Sequence, residues 1–292
     1  MLLPKFEFHE PATVEEACQV IGDLGETAKV LAGGTDLLVN MKKKVLAPKH
    51  LVSLDRIDAL SEVDASNGSL RIGACVKAVD IADADAVKAD FPALAEGASK
   101  LGSPLIRNLA TMGGNLVTAR PAADFPPSLI ACDAQLLLKS SQGERTVPLA
   151  DFIQSPGQTV ITPQEILVAV MLKRPAAGSG NAYIKLGIRE TLEISLVNVA
   201  AFLTLGDPDG AIQAARVVMG SVGPTPVLSP SAEKVLVGEK PSEALFLAAG
   251  VAAATDSRPI DDFRASADYK RAMVKELTRR ALTQAFDRAR GA

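Results

Sequence analysis

A Gly-Gly pair stands near the middle of the chain, in Ile106-Arg107-Asn108-Leu109-Ala110-Thr111-Met112-Gly113-Gly114-Asn115-Leu116. A second Gly-Gly pair stands earlier in the chain, in Ala32-Gly33-Gly34-Thr35-Asp36. Residues 32–36 are called the first glycine loop here, and residues 111–115 the second. Each lies beside a short apolar run and carries a threonine and an amide or carboxylate side chain. Glycine permits positive φ and close backbone approach, so both loops offer unshielded backbone N–H groups.

A diphosphate needs several N–H donors that point into one concavity, and each charge-assisted hydrogen bond contributes about 1.5–3 kcal/mol. The two loops, with four or five such donors between them, predict a site for one phosphate-bearing cofactor. The chain has no GxxxxGK[ST] and no GxGxxG after a first strand, so neither a P-loop nucleotidase nor a Rossmann fold is expected. From the spacing alone, an ordinary tight turn at each glycine pair stays open as an alternative.

The composition is that of a soluble globular protein, with 48% hydrophobic and 22% charged residues among 292. A net charge of −3, no Trp and two Tyr argue against nucleic-acid binding. The sequence lacks a membrane-length apolar run and a secretory signal, so we expect no membrane span. Cys18, Cys75 and Cys132 lie far apart without CxxC spacing. This predicts reduced thiols in a cytoplasmic protein, with neither zinc nor an iron–sulfur cluster bound to this chain.

Periodicity predicts an α+β chain divided at the Pro- and Gly-rich segment 175–181, with domains at 1–176 and 177–292. In the second domain we expect a three-stranded antiparallel sheet followed by helices. A turn at Asp207-Pro208-Asp209-Gly210 supports the pairing of the second and third strands. The predicted strands are 182–188, 196–205 and 211–219, and the predicted helices are 231–236, 242–255 and 267–290.

Taken in order, these motifs resemble the FAD-binding medium subunit of the xanthine dehydrogenase and carbon monoxide dehydrogenase family of molybdenum hydroxylases. The resemblance rests on residues 32–38, 106–108 and 111–116 and on Pro121-Ala122 with Asp124, and it covers nearly the whole chain. It implies a two-domain FAD-binding fold of the vanillyl-alcohol-oxidase / p-cresol methylhydroxylase type, with two α+β subdomains. A C-terminal flavoprotein domain would carry the antiparallel sheet and the helices.

The resemblance also implies the FAD-binding residues, and it implies no catalytic residue or metal ligand. They are Ala32, Gly33, Gly34, Thr35, Asp36, Leu101, Thr111, Gly113, Gly114, Asn115, Asp124, Leu167 and Lys185. Asp124 matches an aspartate on the adenosine side of FAD, and Leu167 matches a residue that packs near the cofactor. Leu101 departs from the family, because some relatives place an aromatic residue there against the adenine.

Local alternatives stay open for several of these residues. Asp124 is also a candidate N-cap of the next helix, and Lys185 a candidate solvated charge on a strand. Arg107, Arg120 and Arg189 are candidates for ligand contact or for purely structural roles. The two histidines, His9 and His50, are interpreted as structural or exposed residues.

The implied function is electron transfer. A large subunit would hold the molybdenum cofactor, and a small subunit with two [2Fe–2S] clusters would conduct electrons to the FAD of this chain. From there they would pass to NAD⁺, a quinone or another acceptor, within a dimer of heterotrimers. Three scattered cysteines exclude the relatives with an extra [4Fe–4S] cluster. The alternatives are a free-standing FAD oxidoreductase of the same fold and a non-enzymatic binding or assembly module.

Overall fold

The computed structural model describes residues 2–66, 68–189, 192–207 and 210–291. The chain is α+β, as predicted, and its described strands form three main sheets and one small hairpin. Pro208 and Asp209 of the predicted turn lie outside the described residues.

The first sheet is parallel, and it positions the first glycine loop. Its strands, in the order β1-β3-β2, are β1 (Glu7–His9), β2 (Ala28–Leu31) and β3 (His50–Ser53). Parallel neighbours need crossover connections, which here contain helices α1 (Val14–Leu24) and α2 (Leu37–Lys42). Because β2 ends at Leu31, the first glycine loop follows directly at the carboxyl edge of this sheet, where open parallel sheets bind ligands.

The second sheet is antiparallel, with the order β4-β5-β10-β6-β7. Its strands are β4 (Val63–Asp64), β5 (Ser69–Gly73), β6 (Gln135–Ser140), β7 (Gly143–Pro148) and β10 (Ile166–Lys173), and β8 (Ile153–Ser155) pairs separately with β9 (Gln158–Thr159). The first five residues of β10 are all buried, because this central strand is covered on both faces. The helices of this region are α3 (Ala78–Asp83), α4 (Asp85–Asp90), α5 (Pro92–Lys100), α6 (Pro104–Arg107), α7 (Met112–Thr118), α8 (Phe125–Ala131) and α9 (Leu149–Phe152).

The C-terminal sheet corrects the prediction, because four of its strands are described, not three. They are β11 (Ser179–Leu186), β12 (Val197–Leu205), β13 (Ile212–Gly220) and β14 (Val227–Leu228), all antiparallel in sequence order. β14 is only two residues long and follows Pro224 and Pro226, so its sequence has the character of a loop. β11 begins at Ser179, within the segment predicted as a linker.

The described helices of this region are α10 (Pro230–Leu236), α11 (Glu243–Asp256) and α12 (Ala267–Ala289). α10 and α12 pack on the sheet, and α11 packs against both of these helices. A Cβ atom on Gly180 would lie 1.9 Å from the carbonyl oxygen of Ala285, so the backbones of β11 and α12 touch. Within the described ranges, no helix combines the length and the apolar character that crossing a bilayer requires.

Candidate functional site

The first glycine loop packs against the residues that lead into the second. A Cβ atom on Gly33 would lie 1.8 Å from the carbonyl oxygen of Leu109, two residues before the second loop. Any residue but glycine would therefore push the backbones apart. A Cβ atom on Gly113 would similarly lie 2.9 Å from that of Ala74, which follows β5. Close backbone packing thus explains both glycines.

The first glycine loop carries unused hydrogen-bond donors. Within the described ranges, the backbone N–H groups of Gly33, Gly34, Thr35 and Asp36 make no hydrogen bond to the protein. Gly34 has φ = +70°, a left-handed conformation that glycine adopts without strain. Successive free N–H groups in such a turn form an anion-binding concavity. The loop therefore has the donors that a phosphate group requires.

The second glycine loop corrects the expectation that both loops offer backbone donors. The N–H of Met112 donates to the carbonyl of Val76 at 2.9 Å, and that of Gly113 to the carbonyl of Ala74 at 2.8 Å. The N–H of Gly114 donates to Oγ1 of Thr111, the N-cap of α7, at 3.1 Å. These bonds hold α7 against the segment after β5, and they leave the second loop to act mainly through its shape and its side chains.

Asn115 is the polar side chain that the second loop presents. Its Oδ1 atom is buried and has no hydrogen-bond partner in the part of the chain that the structure describes. A buried acceptor left unpaired costs about 1–3 kcal/mol. A ligand hydroxyl or N–H group that donated to this oxygen would remove that cost.

Both loops line a cavity of about 680 Å³, a size typical of cofactor sites, which span roughly 300–1,000 Å³. All the predicted site residues but two line it: Ala32, Gly33, Gly34, Thr35, Asp36, Leu101, Thr111, Gly113, Gly114, Asn115 and Leu167. Four free donors, an unpaired acceptor and a deep, mostly apolar space fit a phosphate-bearing dinucleotide such as FAD. The two exceptions are Asp124 and Lys185.

Asp124 and Lys185 meet in a buried polar network instead. Their Oδ1 and Nζ atoms are 2.9 Å apart, and the side chains are only 8% and 6% exposed. The Tyr183 hydroxyl donates to the same carboxylate at 2.8 Å, and the Ser195 hydroxyl at 3.3 Å. Burial raises the pKa of the Asp124 carboxyl, although these three partners oppose the shift. Lys185 also donates to the carbonyl of Lys100 at 2.9 Å, one residue before the cavity wall.

This network decides two of the open alternatives. Asp124 occupies the N-cap position of α8, but its side chain makes no capping hydrogen bond, so a local capping role is wrong. Lys185 is buried and paired, so it is not a solvated strand charge. Whether either side chain contacts FAD stays a prediction.

The three arginines do not line the cavity. Arg107 donates to the carbonyl of Leu101 at 3.0 Å, which stabilises the chain before the second loop. Arg120 Nη2 lies 3.8 Å from Oδ1 of Asp36, at the edge of the first loop. Arg189 pairs at 2.8 Å with a glutamate four residues later. The geometry thus assigns structural contacts to all three.

Several residues that line the cavity belong to no recognisable motif, so the sequence did not predict them as site residues. They include Glu26, Lys29, Cys75, Thr162 and Glu165. Thr162 and Glu165 lie just before β10, whose first residues, Ile166 and Leu167, also line the cavity. Burial raises the pKa of the Cys75 thiol to about 12, so this cysteine is an apolar wall and not a reactive group.

Comparison with known proteins establishes the family. A family model described as "FAD binding domain in molybdopterin dehydrogenase" matches residues 4–175, and one described as "CO dehydrogenase flavoprotein C-terminal domain" matches residues 182–285. The chain is 33% identical to the carbon monoxide dehydrogenase medium chain of Hydrogenophaga pseudoflava, over 99% of both chains. It is 29% identical to the xanthine dehydrogenase FAD-binding subunit of Escherichia coli O157:H7, over 97% of both.

The fold agrees with these matches. A solved structure of the carbon monoxide dehydrogenase from Hydrogenophaga pseudoflava, one lacking the Mo-pyranopterin moiety of its molybdenum cofactor, aligns with a TM-score of 0.93. That alignment covers 99% of each chain at 34% identity. The chain therefore belongs to the family of FAD-binding medium subunits of oxidoreductases of the xanthine dehydrogenase and carbon monoxide dehydrogenase type.

Proposed function

We propose that this chain is the electron-transfer subunit of a molybdenum hydroxylase complex. It would receive electrons from the [2Fe–2S] clusters of a small partner subunit and deliver them to an external acceptor such as NAD⁺ or a quinone. A large partner subunit would hold the molybdenum cofactor and oxidise the substrate. We expect the three chains to form a cytoplasmic dimer of heterotrimers.

The observation that carries this proposal is the run of free backbone N–H groups from Gly33 to Asp36 at the wall of the cavity. Four successive N–H donors can bind a diphosphate by hydrogen bonds without an arginine. Asn115 lines the same cavity, and its Oδ1 atom has no hydrogen-bond partner among the described residues. These groups would hold the phosphate-bearing part of FAD, and the apolar walls at Leu101 and Leu167 would exclude water from the remainder.

When bound, FAD supplies the redox chemistry of the site. The chain's own residues bind, orient and shield it, which agrees with the lack of any predicted catalytic residue. Cys18, Cys75 and Cys132 are free thiols that do not gather into a cluster site. Iron–sulfur clusters would therefore come from another polypeptide, as proposed.

Two structural expectations join this proposal. The vanillyl-alcohol-oxidase / p-cresol methylhydroxylase type of the FAD-binding fold stays a prediction. The division into domains 1–176 and 177–292 is supported by the two family models, since one ends at residue 175 and the other begins at residue 182.

The FAD site is tested by replacing Gly114. A Cβ atom there would meet Thr111 Oγ1 at 2.9 Å, and a longer side chain would crowd the cavity that Gly114 lines. We expect Gly114→Leu to weaken FAD binding by at least about tenfold, equivalent to roughly 1.4 kcal/mol. Fluorescence titration of the apo chain with FAD measures this affinity.

Gly22→Leu is the matched control. Gly22 lies in α1 and is not one of the cavity-lining residues, although its neighbour Ile21 is, and a Cβ atom there would make only a 3.4 Å contact with Ser141. This variant should bind FAD as the unmodified chain does. Equal affinities for the Gly114→Leu and unmodified chains would contradict the assigned site.

The electron-transfer role is tested on the native assembly. Purification from its source should yield co-purifying chains that contain molybdenum and iron, measured by elemental analysis. Rapid mixing with the substrate of the complex should then bleach the flavin absorbance. If the chain purified without partner chains and oxidised NAD(P)H in the presence of a small substrate, it would instead be the free-standing oxidoreductase. A chain that stayed colourless after addition of FAD would be a binding or assembly module.

A further inference from the structure

The two histidines of the chain lie 41 positions apart in sequence but next to each other in the first sheet. His9 is on β1 and His50 is on the neighbouring β3. The parallel register places Glu7 opposite His50, and Glu7 and His9 share one face of β1 because they are two residues apart. Glu7, His9 and His50 therefore form one cluster of side chains at this end of the sheet.

The ligand atoms of this cluster converge. His9 Nε2 lies 3.2 Å from His50 Nδ1, and Glu7 Oε2 lies 3.3 Å from the same Nδ1. All three atoms are within 4.8 Å of one another. In a tetrahedral zinc site, bonds of about 2.0–2.1 Å place two nitrogen ligands roughly 3.3–3.4 Å apart. Two of the three spacings therefore already match the edges of such a tetrahedron.

Hydrogen bonding alone leaves this cluster poorly satisfied. His50 Nδ1 faces both the His9 nitrogen and the Glu7 carboxylate, but a ring nitrogen carries at most one proton to share between them. A divalent cation at the centre would accept a lone pair from all three atoms. Two imidazoles with one carboxylate suit zinc and its transition-metal neighbours, whereas calcium and magnesium prefer oxygen ligands alone.

We propose that Glu7, His9 and His50 form a zinc-binding site, with water as the fourth ligand. Glu7 is exposed, with 75% of its side chain accessible, so it can rotate to close the third spacing. The ion would clip the short edge strand β1 to β3, next to the strand that leads into the first glycine loop. Sequence spacing predicts no such site, because only the parallel pairing of β1 with β3 brings the ligands together.

The test uses the untagged full chain loaded with FAD, so that no purification tag adds histidines. Isothermal titration with Zn²⁺ should give one bound ion per chain, and Zn²⁺ should raise the thermal midpoint by several degrees. His9→Gln and His50→Gln should each remove both the bound ion and the thermal shift. Co²⁺, added in place of zinc, should give the intense visible bands of tetrahedral coordination.

Glu10→Gln serves as the control for non-specific binding, because Glu10 is exposed and lies outside the cluster. It should leave the stoichiometry at one ion, whereas Glu7→Gln should weaken binding. Flavin absorbance and circular dichroism show whether each variant folds. Binding that survived in both folded histidine variants, or a weak octahedral cobalt spectrum with the unmodified chain, would overturn the proposal. These readouts are independent of the electron-transfer role.

Discussion

Two buried lysine ammonium groups each have an aspartate partner, and the two aspartates respond differently. Lys185 faces Asp124, and Lys270 donates to Asp262 at 2.9 Å. Asp124 is deeply buried, so desolvation dominates and raises the pKa of its carboxyl. At Asp262 the hydrogen bond from Arg264 dominates and holds the pKa of that carboxyl well below its usual value. The extent to which each carboxylate is buried therefore decides whether its pKa is raised or lowered.

Because of Asp262, the free energy of unfolding depends on pH in the acid range. Since its pKa is lower in the folded chain than in the unfolded one, its contribution to stability is present above about pH 4 and is lost as the pH falls further. Asp262→Asn would leave the ammonium of Lys270, which is 1% exposed, without its anionic partner. We expect a loss of about 3 kcal/mol in the free energy of unfolding at neutral pH.

Urea denaturation at neutral and acid pH measures this effect. The difference between Asp262→Asn and the unmodified chain should shrink as the pH falls. Asp287→Asn, at an exposed position of α12, should have little effect at either pH. A difference that stayed constant with pH would show that the Asp262 charge is not responsible.

Helices α1 and α7 both begin with a threonine N-cap, but only the cap of α7 lies at the cavity. Thr13 Oγ1 accepts from the N–H of Glu16 at 3.1 Å at the start of α1, away from the cavity. Thr111 Oγ1 accepts from the N–H of Gly114 at 3.1 Å at the start of α7, inside the cavity wall. A comparison of variants at these two threonines therefore distinguishes an effect on helix stability from an effect on cofactor binding.

We expect Thr13→Ala and Thr111→Ala each to lower the free energy of unfolding by about 1 kcal/mol, because each loses an N-cap. Only Thr111→Ala should also weaken FAD binding, since it releases the second glycine loop. Urea denaturation and FAD titration give the two quantities. Equal effects of the two variants on FAD affinity would contradict the role of α7.

Over the whole molecule, polar contacts tie the C-terminal sheet and helices to the preceding region. Arg288 of α12 pairs with Glu96 of α5 and donates to the carbonyl of Asn181 at 2.7 Å. The Asn181 side chain accepts from the N–H of Ala93 at 2.9 Å, and the Glu96 carboxylate accepts from the N–H of Tyr183 at 2.8 Å. These buried and half-buried bonds connect α5, β11 and α12.

Arg288→Met should lower the free energy of unfolding by about 1.5–3 kcal/mol, because it removes hydrogen bonds to a charged group. Arg271→Met is the control on the same helix, since Arg271 pairs only with the exposed Asp268 among the contacts described. Exposed pairs contribute about 0–1 kcal/mol, so this change should be small. Urea denaturation, followed by circular dichroism, measures the free energy of unfolding of both variants. Equal decreases in the two would show that the contacts of Arg288 do not stabilise the packing of α12 against α5 and β11.

Much of the fold follows from contacts between near neighbours in sequence. The apolar patterns predicted the bounds of α10, α11 and α12 to within one residue, because the pattern that specifies a helix lies within the helix itself. The glycine pairs predicted sharp turns for a similar reason, since φ/ψ freedom belongs to the residue itself. Together with the resemblance, these local signals led to the α+β class and to the family.

Other properties depend on residues that only folding brings together. Ala74 and Val76 accept the N–H groups of Gly113 and Met112, so these two donors of the second glycine loop are not available to a ligand. The two-residue β14 exists through pairing with β13, because its own sequence lacks a strand pattern. His9 and His50 likewise come together only because β1 pairs with β3. Hydrogen-bond partners and cavity walls come from distant segments, and sequence spacing does not encode those distances.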